Sequence, residues 1–222
     1  MSKSKLMLKI KSTSTSTSVS SMTSRLDYLL GEDQFVYPSD SYLDFITPFE
    51  MFNIVIANTL IQTGGLTDKV VWDMFAGIGT DSIRLARHSG RVIATEINKE
   101  TFQCLKKNVE ASGLTNLQAF NRDCCSDKGV TGPQPDVIYF DPPWGDTFQS
   151  GQPFSFSDVK LTNGWTVIDL LKHIRTLYKE SYLIIKSPYI CDVEKFIAEE
   201  SILSILTFSR QKLKYIIVGP YP

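Results

Sequence analysis

Residues 141–144, Asp-Pro-Pro-Trp, place a carboxylate and a large aromatic ring on either side of two rigid prolines. In the stretch "DVIYFDPPWGD" they directly follow a run with β-strand character. The Asp141 carboxylate and the Pro142 carbonyl can each accept one hydrogen of an amino group, which aims the nitrogen lone pair. Trp144 offers a face on which a base can stack, worth about 1–3 kcal/mol. These residues therefore predict a site that positions the exocyclic amine of a nucleobase.

Each of these residues also has a purely structural interpretation. Strands often stop at prolines, because proline cannot donate to the ladder. Asp141 could simply form the turn, and Trp144 could belong to the core. A D-P-P-aromatic tetrad directly after an apolar strand favours the chemical interpretation. Asp141 need not be a strong base in it, since an amine loses its proton only after it has attacked a methyl donor.

The stretch "WDMFAGIGTDS" predicts the cofactor. Gly77 and Gly79 allow a tight turn in which backbone N–H groups approach a ligand at the start of a helix. A dinucleotide fingerprint would have a third glycine where this chain has Ser82. Asp73, just before the loop, would repel a pyrophosphate but suits an ammonium group. S-adenosylmethionine carries an ammonium and a sulfonium and has no phosphate, so it is the predicted cofactor.

Two further acids lie at the ends of the next predicted strands. Glu96 can accept hydrogen bonds from both ribose hydroxyls of an adenosyl group, and Asp123 can accept one from the adenine amino group. Acids are common where strands meet loops, so each alone could be an ordinary solvated residue. Three acids at the ends of three successive strands favour a nucleoside site.

The elements that must position these residues alternate between strands and helices from Lys69 onward. This alternation predicts an α/β, doubly wound, mostly parallel seven-stranded sheet with an antiparallel C-terminal hairpin. The predicted strands are "KVVWDMF", "RVIATE", "NLQAF", "DVIYFD", "SYLIIK", "SILSILTFS" and "KLKYIIVG". A helix capped by Thr47, Pro48 and Glu50 precedes the sheet and ends at Gly64. Shorter helices are expected in "SMTSRLDYLL" and "DVEKFIAEE".

The chain divides into three predicted parts. Residues 1–24 form a disordered basic Ser/Thr-rich tail, 25–65 a helical extension and 66–222 the catalytic domain. The tail is expected to be solvated, with a weak transit-like signal or an RNA-touching arm as alternatives. No apolar run approaches the ~20 residues that span a bilayer. Four cysteines without a C-x-x-C pair predict a reduced, intracellular protein of the nucleus or cytoplasm, without metal.

The chain resembles the class I S-adenosylmethionine-dependent methyltransferases that act on amino groups. It is most similar to the trimethylguanosine synthase family, which methylates guanine N2 of RNA caps. The resemblance covers nearly all of the chain from Tyr42 onward. It rests on "ITPFE", "DMFAGIGTDSIRLA", "RVIATEIN", "DVIYFDPPWG" and "KLKYIIVG".

The resemblance implies a monomeric enzyme whose substrate is capped RNA or the 7-methylguanosine cap nucleotide. Trp144 would stack on the cationic base. The predicted donor site comprises Thr47, Asp73, Phe75, Gly77, Gly79, Thr80, Glu96, Ile97, Asp123 and Cys124. Asp141, Pro142 and Trp144 are the predicted catalytic residues, and the predicted substrate contacts are Trp144, Tyr189, Lys186 and Phe148.

The chain departs from this family at two places. Asp141 stands where the family often has serine, which is closer to adenine-N6 and ribosomal guanine-N2 enzymes. The segment "KSPYICD" offers Tyr189 or Lys186 where the family places an arginine for the cap phosphates. Lys212 and Lys214 are alternative phosphate contacts, or solvated charges. The aromatic loop after Trp144 could close over a base or lie on the surface.

Two rival functions stay open at this point. The same chemistry could act on guanine in structured RNA or on adenine in DNA, although a net charge of −1 disfavours a binder of long duplexes. A scaffold that has lost catalysis is the other alternative. The intact glycine loop and tetrad disfavour it.

Overall fold

A computed structural model describes residues 35–39, 42, 46–126, 133–145 and 154–220. Seven strands form one sheet. Their bounds are β1 (Val70–Asp73), β2 (Arg91–Glu96), β3 (Leu117–Asn121), β4 (Val137–Phe140), β5 (Tyr182–Pro188), β6 (Ile202–Phe208) and β7 (Leu213–Val218). All seven predicted strands are present.

The strand order is β3-β2-β1-β4-β5-β7-β6, with β1 to β5 parallel and β7 antiparallel to both β5 and β6. The predicted fold class, a mostly parallel doubly wound sheet with an antiparallel C-terminal hairpin, is confirmed. The chain leaves β1 toward β2 on one side and returns to β4 on the other. The crevice between the carboxyl ends of β1 and β4 is therefore the switch point, where such sheets bind ligands.

Four α-helices cover the sheet within the described residues: α1 (Phe49–Thr63), α2 (Thr80–Ala86), α3 (Lys99–Ala111) and α4 (Val167–Leu177). The predicted cap of α1 is wrong. Pro48 is the N-cap residue and no side chain caps the helix, because the Thr47 hydroxyl points inward to Asp81, 3.2 Å away. The C-terminal end agrees with the prediction, since Gly64 adopts the left-handed conformation. No described helix has the length and apolarity needed to cross a membrane.

The sheet has a hydrophobic core on each face, and this explains its continuous apolar strands. Strand β4 is buried at all four positions, as expected for a parallel strand with both faces covered. On one face, α1, α2 and α3 pack through residues such as Phe52 and Leu105. On the other, α4 packs with the segment that contains Phe154 and Phe156.

The short helix predicted in "DVEKFIAEE" differs in the structure. Two 3₁₀ turns, Val193–Phe196 and Glu199–Ser201, replace it. The backbone between them is extended at Ile197, whose side chain packs against the core. Anchoring this apolar residue interrupts a segment too short to be stable as an isolated helix.

Several predictions lie outside the described residues. These are the tail, the helix in "SMTSRLDYLL", and the part of the aromatic loop that contains Phe148. The division into three parts therefore stays a prediction.

The packing of α1 on the sheet can be tested by truncation. Phe52 is fully buried and meets Tyr139 edge-to-face at 5.8 Å, whereas Ile61 on the same helix is 76% exposed. We expect Phe52→Ala to lower the free energy of unfolding by about 3–5 kcal/mol. Ile61→Ala should change it by less than about 0.5 kcal/mol. Denaturant titration measures both, and equal effects would contradict this packing.

Candidate functional site

Acids mark both sides of the switch point. Asp73 ends β1 and Asp141 directly follows β4. Because the two strands are parallel neighbours, in register from Val71 with Val137 to Asp73 with Tyr139, both acids lie at the same edge of the sheet. The crevice at this edge, with the glycine loop on one side and residues 141–144 on the other, is the candidate site.

The glycine loop has the close packing that only glycine allows. Gly77 and Gly79 have φ of +56° and +93°, a region that favours glycine. A Cβ at Gly77 would collide with the Tyr42 hydroxyl, and one at Gly79 would lie 2.6 Å from Leu105. The loop leads directly into α2, where Thr80 is the first helical residue and is buried. The loop is thus brought to the crevice, where the Tyr42 side chain packs directly against Gly77.

Glu96 holds the loop from the end of β2. One carboxylate oxygen accepts a hydrogen bond from the Gly77 N–H at 3.0 Å, and the other accepts one from the Asn98 N–H at 2.7 Å. Burial raises the pKa of this carboxyl. Carboxylate oxygens have further lone pairs, so Glu96 can hold the loop and still accept from a diol. Ile97, next to it, is about half exposed.

Asp73 is buried with one oxygen unsatisfied. It is 1% exposed, Ser82 donates to its Oδ2 at 2.5 Å, and Oδ1 accepts no hydrogen bond from any described residue. Burial raises its pKa to about 8, against the opposing effects of the Ser82 hydroxyl and the Phe75 N–H. An orphaned acceptor of this kind is costly, and an ammonium group would both satisfy it and favour its ionised form. The site therefore fits the ammonium of the predicted cofactor.

On the adenine side of the predicted donor site, Asp123 is hydrogen-bonded within the chain, as Glu96 is. Both carboxylate oxygens of Asp123 have partners in the chain, the Cys125 N–H at 2.8 Å and the Thr162 hydroxyl at 2.7 Å. A hydrogen bond with Cys125 and burial raise the pKa of the Cys124 thiol, so it is not a thiolate. Phe75, half-buried, meets Phe140 edge-to-face at 5.5 Å. The roles expected of these residues stay predictions.

Asp141 forms a partly buried ion pair with Lys186 of β5, in which the lysine is the more buried partner. The Lys186 Nζ donates to Asp141 Oδ2 at 2.5 Å, and the two side chains are 5% and 21% exposed. The same ammonium lies 5.8 Å from the centre of the Trp144 ring, within the range of cation–π attraction. Burial raises the pKa of Asp141 to about 6 against the opposing effect of Lys186. At neutral pH the carboxylate is therefore ionised and able to accept.

This geometry assigns the Lys186 ammonium to Asp141 rather than to a substrate phosphate. Burial alone would lower the pKa of Lys186, but the adjacent carboxylate raises it, so the lysine stays charged. Pro142 is buried and Trp144 is half-buried between the two cores. Tyr189, three residues beyond Lys186, is 49% exposed. Phosphate binding by Lys186 stays a prediction that the buried pair does not favour.

A polar network that the sequence analysis missed lies beneath the ion pair. Asp81 Oδ2 accepts hydrogen bonds from the Tyr139 hydroxyl at 2.8 Å and from Thr47 at 3.2 Å. Thr47 also contacts the Tyr215 hydroxyl at 3.2 Å, and Arg84 pairs with Asp81 Oδ1 at 3.2 Å. A predicted donor ligand, Thr47, is therefore an interior residue that is 2% exposed. The sequence signal for this network was the presence of Asp81 and Arg84 within the helical segment "TDSIRLA".

Comparison with known proteins places this site in context. The model of the family described as "Conserved hypothetical protein 95" matches residues 49–154, just under half of the chain. The chain is 34% identical over 110 residues to a 23S rRNA (uracil(747)-C(5))-methyltransferase of Shewanella amazonensis, covering 45% of this chain and 28% of that one. For the first curated relatives, the chain spans between about a fifth and about three fifths of their length.

Solved structures share the fold. A Pyrococcus horikoshii protein described as a candidate RNA methyltransferase superposes with a TM-score of 0.58 at 17% identity, covering 90% of this chain and 99% of that one. A 16S rRNA N2 G1207 methyltransferase of T. thermophilus, solved with AdoMet and guanosine, gives 0.56 at 17% identity over 79% and 43%. Together the matches show a methyltransferase-like fold and a similarity, over part of the chain, to RNA methyltransferases. They do not single out the trimethylguanosine synthases.

The unsatisfied Asp73 predicts that binding of S-adenosylhomocysteine, which keeps the ammonium group, depends on pH. With a pKa of about 8, Asp73 must lose its proton before it can pair with the ammonium. Affinity should therefore rise about tenfold per pH unit between pH 6 and 8. Calorimetry should show this for the wild type and for Asp68→Asn, a surface control at the other end of β1. Asp73→Asn should bind weakly at every pH, and a retained pH slope in this variant would contradict the assignment.

Proposed function

We propose that the chain transfers a methyl group from S-adenosylmethionine to the exocyclic N2 amine of guanine in RNA, with the 7-methylguanosine cap as its target. The observation that carries this proposal is the placement of Asp141, Pro142 and Trp144 at the end of β4. That strand is the neighbour of β1, which leads into the glycine loop. Acceptors for an amine and a stacking ring thus stand across the crevice from the donor loop.

The donor is held by groups that suit its charges. The Asp73 carboxylate takes the ammonium, and Glu96 takes the ribose hydroxyls at the end of β2. No phosphate-binding cation is needed at the loop. S-adenosylmethionine supplies a methyl group on a positively charged sulfur.

The chain contributes position and charge to the reaction. An exocyclic amine is a weak nucleophile, because its lone pair is delocalised into the ring. Hydrogen bonds to the Asp141 carboxylate and the Pro142 carbonyl localise that lone pair and aim it at the methyl carbon. As the N–C bond forms, the C–S bond breaks and its electron pair stays on sulfur. The surplus amine proton then leaves to Asp141 or to water.

A second target is favoured by particular observations. The acid at the first position of the tetrad, Asp141, is closer to ribosomal guanine-N2 enzymes than to the cap enzymes. A solved structure with the same fold is a guanine-N2 methyltransferase of 16S rRNA. Guanine in structured RNA is therefore the alternative to the cap. The two differ in the charge of the base, since 7-methylguanine is cationic and guanine is neutral.

Labelled donor separates these targets. Wild-type protein with 7-methyl-GTP, GTP and an uncapped structured RNA should transfer label to 7-methyl-GTP if the cap is the target. Transfer to structured RNA alone would replace the cap with the second target. Transfer to none of the substrates, with intact S-adenosylhomocysteine binding, would contradict the proposed function.

Substitutions in the tetrad test the roles of its residues. Trp144→Ala should raise KM for the base about 5- to 150-fold, the equivalent of about 1–3 kcal/mol of stacking. Asp141→Asn should lower kcat while it leaves S-adenosylhomocysteine affinity unchanged. Asp136→Asn, at the amino end of the same strand, is the matched control. Wild-type turnover by both Trp144→Ala and Asp141→Asn would rule out the proposed geometry.

A further inference from the structure

The glycine loop, residues 76–79, donates all four of its backbone N–H groups within the chain. Two of them donate to backbone carbonyls at 2.9 Å, and a third donates to the Glu96 carboxylate at 3.0 Å. The fourth, that of Ile78, donates to the hydroxyl of Tyr42. A ligand can therefore accept a hydrogen bond from one of these four groups only by displacing the partner that the chain itself provides.

Tyr42 belongs to the segment that precedes α1, and its hydroxyl lies inside the crevice. The hydroxyl packs directly on Gly77, where a Cβ would collide with it. Burial and the carboxylates of Glu96 and Asp141 raise the pKa of this hydroxyl, whereas the loop N–H and Lys186 lower it. The hydroxyl is therefore neutral at neutral pH, and it faces charged groups from both the donor side and the tetrad side of the crevice.

The segment that carries Tyr42 is attached to the same loop at a second point. Asn108 of α3, which is fully buried, donates to the carbonyl of Ile78 and to that of Val36, each at 2.9 Å. Its side-chain oxygen accepts from the Val36 N–H at 2.8 Å. Phe35, the neighbour of Val36, is part of the core. Both backbone groups of Ile78 are thus tied to the segment before α1, so the Tyr42 contact is built into the fold.

The donor assigned to this site brings an anion to the same place. In S-adenosylmethionine the carboxylate and the ammonium are on one carbon, so an ammonium paired with Asp73 places the carboxylate near the end of β1, where the loop begins. Backbone N–H groups of such loops are suited to anions. Thr47, a predicted donor contact, is 2% exposed and its hydroxyl is already bonded in the interior. A carboxylate accepts a stronger hydrogen bond than a neutral hydroxyl does, so it can replace Tyr42 at Ile78.

We propose that the Tyr42 hydroxyl and the carboxylate of the donor exclude each other at the Ile78 N–H, which makes Tyr42 an autoinhibitory contact that the donor displaces. The inference rests on the proposed function only for the identity of the donor, not for the base that is methylated. Displacing Tyr42 lowers the affinity for a donor that has a carboxylate. It also couples occupation of the donor site to the segment before α1.

Calorimetry with a matched pair of ligands tests the exclusion. S-adenosylmethionine has the carboxylate, and decarboxylated S-adenosylmethionine lacks it but keeps the ammonium and the sulfonium. Tyr42→Phe keeps the ring and removes the acceptor, so it should bind S-adenosylmethionine about 2- to 10-fold more tightly than the wild type, the range of one neutral hydrogen bond. Its affinity for the decarboxylated ligand should equal that of the wild type. Tyr37→Phe, a change at a half-buried tyrosine of the same segment, is the control and should bind both ligands as the wild type does.

The direction of the change decides the outcome. Weaker binding of S-adenosylmethionine by Tyr42→Phe would show that the hydroxyl holds the donor instead of competing with it, and would overturn the proposal. An unchanged affinity, or an equal gain for both ligands, would overturn it as well. A wild type that binds neither ligand would contradict the donor itself and thus the proposed function. The predicted gain in a protein that methylates no guanine would support the exclusion while it contradicts only the assigned base.

Discussion

The ion pair between Asp141 and Lys186 is the interaction on which the site depends. Taking two charges out of water costs several kcal/mol per ion, so such a pair stabilises a fold only weakly. Its effect is on position. It ties Asp141, the first residue after β4, to Lys186 of β5, and it holds the Lys186 ammonium 5.8 Å from the centre of the Trp144 ring. The acceptor and the stacking ring are held by one cation, while the two prolines fix the backbone between them.

The polar network under this pair connects the site with α1. Asp81 receives hydrogen bonds from Tyr139 in β4 and from Thr47 just before α1, and Thr47 reaches Tyr215 in β7. Burial raises the pKa of both tyrosine hydroxyls, so they remain donors. Breaking such a network leaves buried groups unpaired, which is more costly than the net value of its bonds. The start of α1 is thus part of the support for the catalytic residues.

The seven strands were predictable from the sequence, because buried parallel strands are continuous apolar runs. The same continuous apolar pattern gave no indication of whether a polar side chain within these strands points to the interior or to solvent. Lys186 and Lys214 lie in strands whose neighbouring positions are buried on both faces, so no alternation marked them as interior. Asp73 and the tetrad were found from residue type and position at strand ends. The target base was not, because residues 141–144 specify an amine and a ring rather than one particular base.

The pH dependence of single-turnover methyl transfer tests the central claim most directly. With S-adenosylmethionine saturating at every pH, so that the ionisation of Asp73 does not limit the reaction, the wild-type rate should fall below about pH 6 as Asp141 is protonated. Lys186→Met removes the cation that favours the carboxylate, so the acid limb should move to higher pH and the plateau rate should fall. Lys186→Arg should keep the wild-type limb, and S-adenosylhomocysteine binding checks that each variant is folded. A folded Lys186→Met with the wild-type rate and pH profile would contradict the account.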